Sequence, residues 1–332
     1  MKSEELLTFT VLFFAVFLLS VTAVLVLLPI LRRARAGQRI LAIGPSWHMA
    51  KEGTPTMGGI GFILALLLGF LGYAAFLLWQ GGRGQELLPA VLVVLFGFSC
   101  GVIGFLDDYL KLSKKQNEGL LAWQKFLLQL LAAAALVFVA RALGLVGTAV
   151  YVPFASSSLE LGFFYSPLAL LFLTGVVNAL NLTDGLDGLL SGTVAVVAAF
   201  FILYGCLIGL AFFVLFGVLL LGVTLGFLVF NRHPAKIFMG DTGSLFLGGL
   251  VGGVGLLSAR PITVLGMGGV FVLEAVSVIL QVLYFKATEG KRLFLMAPLH
   301  HHLEKRGLNE NTIVAVFAVT TALLGLVMLF GG

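Results

Sequence analysis

The chain has 332 residues, of which 60% are hydrophobic and only 11% are charged. Soluble domains carry about 25% charged residues, so this composition excludes an ordinary soluble domain and predicts an integral membrane protein. A membrane-spanning helix needs about 20 apolar residues, which leaves room for roughly ten spans. The net charge of +5 indicates membrane topology and contact with anionic membrane lipid, and no binding of nucleic acid is expected.

Apolar segments recur along the whole chain, separated by polar loops. The long segments do not alternate with period two, so membrane-spanning strands are not expected. The sequence predicts an all-α integral membrane protein, a polytopic bundle of about ten transmembrane helices in a single domain, residues 1–332. The outer loop at 145–162 is expected to form a short hairpin. The predicted spans are 6–30, 59–79, 88–106, 126–144, 163–180, 188–206, 209–229, 243–257 (short and rich in Gly), 265–286 and 312–330.

The loop charges predict the orientation of the bundle. Sixteen of the 20 Lys and Arg residues lie in, or at the edge of, loops that follow odd-numbered segments. The positive-inside rule places these loops in the cytoplasm and both termini on the extracytoplasmic side. The same loops contain all five Asp and all five His residues, so we expect the chemistry at the cytoplasmic face. These loops are 31–58, 107–125, 181–187, 230–242 and 287–311.

Two adjacent carboxylates, Asp107 and Asp108, close the third apolar segment. A charge at a membrane boundary requires water, a partner or a metal ion, and carboxylates at the C-terminus of a helix oppose its dipole. Adjacent residues on a helix point about 100° apart. We therefore expect the two to have different partners, one a metal ion and the other a cation such as Lys111. The alternative is a solvated helix end.

A second polar stretch, Asn181–Gly188, lies between the fifth and sixth segments. Asp184 and Asp187 are three residues apart and would share one face of a helix, while the glycines allow a tight turn and close approach of a ligand. Capping of a helix N-terminus is the alternative explanation. One Asp suffices for a cap, so the number of Asp and Asn side chains around this turn favours a functional site.

The stretch Asn231–Ser244 is densely polar, and Asp241 opens the eighth segment. Backbone N–H groups at a helix start can hold phosphate, and an Asp there can hold Mg²⁺ against that phosphate. Helix capping is again the alternative. Phe238 lies outside an apolar run and is expected either to stack on a base or to anchor the chain at the membrane interface.

Three consecutive histidines, His300, His301 and His302, precede the last segment. They lack the i, i+4 spacing of a helical zinc pair. The run therefore favours hydrogen bonding to phosphate or proton donation over zinc binding. A solvated loop is the alternative.

Two further features bear on the site. The turn Lys51–Gly59 contains Pro55 and paired glycines, and it brings a cation and the hydroxyl of Thr56 to the same interface. Glu274 lies within the ninth segment, where an ionisable residue is either functional or structural. We expect an internally hydrogen-bonded Glu, remote from the Asp residues.

Metal-assisted phosphoryl transfer needs carboxylates, lysines and helix N-termini that can bind phosphate. The sequence places all three on the predicted cytoplasmic face. Their position at the membrane surface favours one lipid phosphate substrate and one soluble substrate. The alternative from another class is an ion-coupled transporter, whose carboxylates would lie near the midplane of the membrane.

Several of these motifs resemble those of the polyprenyl-phosphate hexose-1-phosphate transferases, in order along nearly the whole chain. The motifs are Asp107-Asp108-Tyr109, Asn181–Gly188, Phe238–Ser244 and the histidine run. Within the family, Gly53–Gly59 and Ala297–Glu304 resemble the branch that acts on UDP-N-acetylmuramoyl-pentapeptide. The sister branch, which transfers N-acetylglucosamine 1-phosphate, has a different His motif and remains the alternative.

The resemblance implies a multi-pass enzyme of the bacterial inner membrane, commonly a homodimer, with an active site that faces the cytoplasm. It implies transfer from UDP-N-acetylmuramoyl-pentapeptide to undecaprenyl phosphate, giving lipid I and UMP in peptidoglycan synthesis with Mg²⁺ as cofactor. It assigns Asp241 as the metal ligand, Asp107 and Asp108 as the catalytic pair and His300 as a further catalytic residue. His301 and His302 would contact substrate. The matched nucleotide-pocket residues are Lys51, Thr56, Asn181, Asp184, Asp187, Asn231 and Phe238, the last under the uracil.

Physical chemistry constrains the reaction further. Both substrates are anions, so lysines such as Lys111 and Lys125 are expected to bind them together with the metal and offset their repulsion. A phosphate monoester has its second pKa near 6, so a strong general base is not obligatory. Asp107 could remove the remaining proton, position the phosphate through the metal, or form a covalent phosphate. Direct attack by the lipid phosphate is favoured.

Overall fold

The computed structural model describes residues 3–34, 51, 53–81, 84–114 and 119–331. Four of the Lys, Arg and His residues of the predicted cytoplasmic loops lie outside this part of the chain. They are Arg35, Arg39, His48 and Lys115.

The described chain is helical apart from one hairpin and the connecting loops. The helices are α1 Ser3–Arg33, α2 Gly59–Trp79, α3 Gly84–Ser113, α4 Ala122–Ala142, α5 Tyr165–Thr183, α6 Leu189–Ile208, α7 Ala211–Asn231, α8 Gly240–Leu257, α9 Pro261–Met267, α10 Gly269–Ala287, α11 Leu299–Lys305 and α12 Glu310–Leu329. Strands β1, Ala149–Val152, and β2, Ser157–Glu160, pair antiparallel with Ala149 opposite Glu160.

Ten helices of the described chain are long and apolar enough to cross a membrane, which confirms the predicted all-α polytopic bundle. The predicted hairpin in the loop at 145–162 is also confirmed. The predicted ninth segment, 265–286, is wrong as a single helix. It is divided at Gly268 into α9, which starts with Pro261 at its first turn, and the longer α10.

Helix α8, which the sequence marked only as a short Gly-rich segment, lies at the centre of the bundle. Every residue from Thr242 to Leu256 is buried. Gly97 of α3 faces Gly249 of α8 so closely that a Cβ built on Gly249 would lie 2.8 Å from the Cα of Gly97. Membrane helices approach closely where small residues meet, so the glycines allow α8 to pack against α3 along its length.

The close packing continues to the end of α3 that carries the two adjacent carboxylates. A Cβ on Gly104 would lie 2.1 Å from the backbone oxygen of Asp241. Gly104 therefore allows the last turns of α3 to lie directly beside the start of α8. This contact brings Asp107 and Asp108 next to Asp241, although more than a hundred residues separate them.

Candidate active site

Asp107, Asp108 and Asp241 form a compact group that we call the carboxylate cluster. One carboxylate oxygen from each lies within 4.8 Å of the others. The side chains of Asp107 and Asp108 are almost wholly buried. Three carboxylates at this distance repel one another unless cations lie between them.

Two lysines supply that positive charge. Lys111 Nζ lies 2.5 Å from Asp107 Oδ2 and 2.7 Å from Asp241 Oδ2. Lys125 Nζ, from the start of α4, lies 2.9 Å from the same Asp241 oxygen. Asn181 of α5 completes the surroundings of Asp241, because its Nδ2 donates to Asp241 Oδ1 at 2.7 Å and its Oδ1 accepts from Lys125 at 3.2 Å.

Asp107 and Asp108 have different partners, as the sequence predicted. Asp107 pairs with Lys111 and accepts a hydrogen bond from the backbone N–H of Leu120 at 2.8 Å. Asp108 accepts from Thr242 N at 2.9 Å, from Thr242 Oγ1 at 2.7 Å and from Asp241 N at 3.2 Å. The N–H groups at a helix start lack partners within the helix and carry partial positive charge. Asp108 therefore satisfies the start of α8.

The donor set of the carboxylate cluster fits a hard divalent cation. Such cations bind carboxylate oxygens, and Mg²⁺ uses one or two carboxylates and completes its shell with water and phosphate. Lys111 already bridges Asp107 and Asp241, which shows that a positive charge fits between these side chains. The Lys111 side chain is 34% exposed, whereas that of Asp107 is 3% exposed, so the lysine is the less tightly enclosed partner.

The turn between α5 and α6 differs from the sequence-based expectation. Asp184 and Asp187 do not share a helix face, because α5 ends at Thr183 and α6 starts at Leu189. Gly188, which caps the start of α6, has φ +74°, a left-handed conformation that glycine adopts without strain. Burial raises the pKa of Asp184 well above its usual value, and the nearby charges of Asp241, Asp108 and Asp187 raise it further.

Asp187 instead belongs to a second group with Lys51, His233 and Glu310, which we call the ion-pair cluster. Lys51 Nζ lies 2.7 Å from both Asp187 Oδ1 and Glu310 Oε2. His233 Nδ1 lies 3.0 Å from Asp187 Oδ2, and the backbone N–H of Ala235 donates to that oxygen at 3.0 Å. These contacts join the four residues in one network of ion pairs and hydrogen bonds.

Asn231 and Phe238 hold the segment that leads to α8. Asn231 is buried, accepts from Ser191 Oγ at 2.6 Å and donates to the backbone oxygen of Ile237 at 3.0 Å. The backbone of Phe238 bonds to Pro55 and Gly58 at 2.8 Å each, while its side chain stays partly exposed. The backbone of Phe238 is thus held in place, whereas the side chain of Asn231 is occupied within the fold.

Thr56 lies beside the carboxylate cluster. A Cβ on Gly240 would lie 2.9 Å from Thr56 Oγ1 and 2.4 Å from Asp108 Oδ2. The residue at 240 must be Gly both for this reason and for its φ of +70°. The hydroxyl of Thr56 and the carboxylate of Asp108 therefore border the same narrow space.

The three histidines have separate surroundings. His300 is buried and its Nδ1 lies 2.9 Å from Glu274 Oε2. His301 Nδ1 lies 2.6 Å from Glu304 Oε2, and His302 Nδ1 accepts from the backbone N–H of Leu295 at 3.1 Å. The expectation that Glu274 is internally hydrogen-bonded is confirmed. The sequence did not anticipate its contact with His300, which forms because α11 folds back onto α10.

The sequence did not single out Glu310 or His233 as site residues. Glu310 is the first residue of α12, after the Asn309 cap, and there it looks like an acidic residue that favours the helix dipole. A carboxylate next to a helix cap is common, so nothing in the sequence singled out Glu310. Its membership of the ion-pair cluster is evident only from its contact with Lys51 in the folded protein. His233 was noted only as one polar residue in a polar stretch.

Comparison with known proteins agrees with this site. A family model described as glycosyl transferase family 4 matches residues 90–259, which include the carboxylate cluster. Among curated relatives, a phospho-N-acetylmuramoyl-pentapeptide-transferase of Halalkalibacterium halodurans is 41% identical over 314 residues, covering 95% of this chain and 94% of the relative. Proteins of the same name from Clostridium kluyveri and Geobacillus thermodenitrificans are 42% and 44% identical, over 91% of this chain and 92% and 90% of their own lengths.

The family expected from the sequence motifs is therefore confirmed, and the similarity extends well beyond those motifs. Identity above 40% over nine-tenths of both chains, with the family model matching half of the chain, shows that the protein belongs to glycosyl transferase family 4 and, within it, to the phospho-N-acetylmuramoyl-pentapeptide transferases, a family of enzymes.

Proposed function

We propose that this chain transfers the phospho-N-acetylmuramoyl-pentapeptide group from its UDP carrier to undecaprenyl phosphate, giving lipid I and UMP. An oxygen of the lipid phosphate attacks the β-phosphorus in line, forming a new P–O bond. The bond between the β-phosphorus and the bridging oxygen breaks, and UMP leaves with that oxygen. The observation that carries this proposal is the carboxylate cluster with Lys111 and Lys125 at the ends of membrane helices.

The charges of the cluster suit two anionic substrates. Asp241, with Asp107 and Asp108, would hold Mg²⁺, which offsets the negative charge of the phosphates and of the transition state when bound. Lys125 and Lys111 lie against Asp241, so they can turn to the phosphates while Asp241 takes the metal. Asn181 keeps the Asp241 carboxylate oriented through its other oxygen.

The hydrogen bonds of Asp108 support direct attack by the lipid phosphate. Both of its oxygens accept hydrogen bonds from the start of α8, and a covalent phosphate on this side chain would break them. Asp107 likewise has one oxygen on Leu120 N and the other on Lys111. Since both carboxylates are occupied and buried, they serve better to position charge than as nucleophiles.

The nucleotide would bind between the two clusters. Phe238 offers its ring for stacking on the uracil. Lys51 belongs to the ion-pair cluster, and Thr56, five residues further along the chain, borders the carboxylate cluster. Asp184 is influenced by the charges of both clusters, which supports one continuous site. The homodimer and the cytoplasmic orientation in the bacterial inner membrane remain predictions from the resemblance and from the loop charges.

An apolar cavity supports a lipid substrate. It has a volume of about 500 Å³ and lies between α5, α9 and α10, with Leu171, Gly175, Ala179, Val264 and Phe271 among its lining residues. Its lining extends to Leu180, next to Asn181, which contacts Asp241. We propose that the first part of the polyprenyl chain lies here while its phosphate reaches the carboxylate cluster.

The test is product formation by the purified protein in detergent. The protein is mixed with undecaprenyl phosphate, Mg²⁺ and either UDP-N-acetylmuramoyl-pentapeptide or UDP-N-acetylglucosamine, each labelled in the sugar. We expect a labelled, solvent-extractable lipid only from the muramoyl substrate, and none when EDTA replaces Mg²⁺. Lipid product from N-acetylglucosamine would place the chain in the sister branch, and no product from either would overturn the proposal.

A further inference from the structure

Glu274 and His300 form a buried pair that the proposed function does not yet use. Glu274 lies inside α10 and is wholly buried, and His300, in the first turn of α11, is 1% exposed. Glu274 Oε1 accepts the backbone N–H of His300 at 3.1 Å, and Glu274 Oε2 lies 2.9 Å from His300 Nδ1. Both oxygens of a single carboxylate therefore hold a single histidine.

The other ring nitrogen of His300 faces the turn between α5 and α6. Its Nε2 is buried and has no hydrogen-bond partner among the described residues. A Cβ built on Gly185 would lie 2.1 Å from this nitrogen, so Nε2 lies directly against the 184–188 turn. The same turn carries Asp187 of the ion-pair cluster and Asp184, which is influenced by the carboxylate cluster.

We propose that Glu274 is a positioning residue for the transfer reaction, and that it fixes the tautomer and direction of the His300 ring. This proposal rests on the proposed function. An ionised carboxylate only accepts hydrogen bonds, so His300 Nδ1 must carry the hydrogen that it gives to Glu274. The ring then has Nε2 left to take or donate a proton next to the 184–188 turn, where substrate binds.

The same logic operates in other catalytic histidines, where a buried carboxylate on one nitrogen sets the proton on the other. Gly185 supports the proposal independently, since any side chain there would displace the ring from the turn. A purely structural link between α10 and α11 would not need the unpartnered nitrogen to point at a site. Burying an unsatisfied polar atom is unfavourable, and a substrate or a water molecule would satisfy it.

Glu274→Gln is the variant that tests the proposal. It keeps the size of the side chain but offers one acceptor oxygen instead of two, so its NH₂ group must face one of the two His300 donors. The favoured response is a ring with Nδ1 unprotonated and the hydrogen on Nε2. We expect kcat for UMP release to fall by about 100-fold or more, the scale of lost proton transfer, with the KM for the UDP substrate changed by less than about threefold.

Ser277→Ala is the matched control. Ser277 is buried one turn from Glu274 on the same helix and bonds to its backbone oxygen, so its loss disturbs α10 without touching the His300 ring. We expect wild-type kcat. A drop in the control equal to that of Glu274→Gln would show a merely structural effect and overturn the proposal.

The tautomer itself is read from ¹⁵N NMR of the wild-type protein labelled in histidine, with the His300 signals identified by their loss in His300→Asn. We expect a protonated Nδ1 in the wild type, and this measurement does not depend on the folding of Glu274→Gln. An unprotonated Nδ1 in the wild type would overturn the proposal. A wild-type protein with the expected tautomer that releases no UMP would overturn the proposed function and leave the assignment of the ring to Glu274 standing.

Discussion

Lys51 Nζ lies 2.7 Å from Glu310 Oε2, although 259 residues separate the two in sequence. The same nitrogen lies 2.7 Å from Asp187 Oδ1. The first residue of the last helix thus holds a lysine that precedes the second helix. The Lys51 side chain is only 15% exposed, so the two carboxylates fix the position of its ammonium group.

Glu310→Gln should therefore weaken binding of the UDP substrate. Hydrogen bonds to charged groups contribute about 1.5–3 kcal/mol, so we expect the KM to rise roughly tenfold with kcat nearly unchanged. The measurement is the rate of UMP release against substrate concentration. The matched control is Glu160→Gln on the exposed strand β2, which should leave KM unchanged. A wild-type KM for Glu310→Gln would show that the pair does not orient Lys51 for substrate.

Lys125 should matter for the chemical step. It contacts both Asp241 and Asn181, so Lys125→Met removes a positive charge from the phosphate site. We expect kcat/KM to fall by about 100-fold or more, the scale of a lost electrostatic contact in the transition state. Lys114 is exposed, and Lys114→Met is the control that should retain full activity. Equal losses in both variants would point to a general effect of charge on the membrane surface.

Gly104→Ala should destabilise the protein. The added methyl group would overlap the Asp241 backbone, 2.1 Å from its oxygen and 2.6 Å from Thr242 N. Overpacking of this kind costs about 1–3 kcal/mol and would separate α3 from α8. We expect a lower midpoint of thermal unfolding in detergent, together with weaker activity.

Gly72→Ala is the control for that substitution, because nothing lies within 4 Å of a Cβ at this helical position in α2. It should be neutral or slightly stabilising, since Ala favours a helix more than Gly does. A Gly104→Ala protein with wild-type stability would contradict the close contact between α3 and α8.

The raised pKa of Asp184 predicts how the stability of the folded protein depends on pH. Burial and the neighbouring carboxylates raise its pKa in the folded protein above the value in the unfolded chain. The folded state then binds more protons, so this side chain favours folding at low pH and opposes it as pH rises through the folded pKa. Without divalent cations, Asp184→Asn should gain thermal stability relative to wild type as pH increases. An equal pH slope in both proteins would contradict the raised pKa.

The helices and the residue types of the site were predictable from sequence because both follow local rules. Membrane spans need long apolar runs, and ionisable residues at their ends need partners, so the ten spans and residues such as Asp107, Asp241 and Lys111 stand out. Proximity across the bundle was less accessible. The sequence shows that residues 104 and 249 are glycines. It does not show which neighbouring helix each one contacts, because that depends on the packing of the whole bundle.

The errors have equally physical causes. The three-residue spacing of Asp184 and Asp187 suggested one helix face, yet α5 ends at Thr183 and α6 starts only at Leu189, so both carboxylates lie in the turn between the two helices. The contact between Glu274 and His300 was not anticipated, because α11, which folds His300 back onto α10, is only seven residues long. A helix this short leaves little periodic signal in the sequence.

The most direct test of the account is UMP release from UDP-N-acetylmuramoyl-pentapeptide and undecaprenyl phosphate as Mg²⁺ is varied, with wild type compared with Asp241→Asn. The account predicts that wild type is active only with Mg²⁺ and that Asp241→Asn, folded to the same extent by thermal unfolding, is inactive at every Mg²⁺ concentration. Wild-type rates in folded Asp241→Asn, or UMP release that is insensitive to Mg²⁺, would contradict the assignment of the carboxylate cluster as the metal-assisted transfer site.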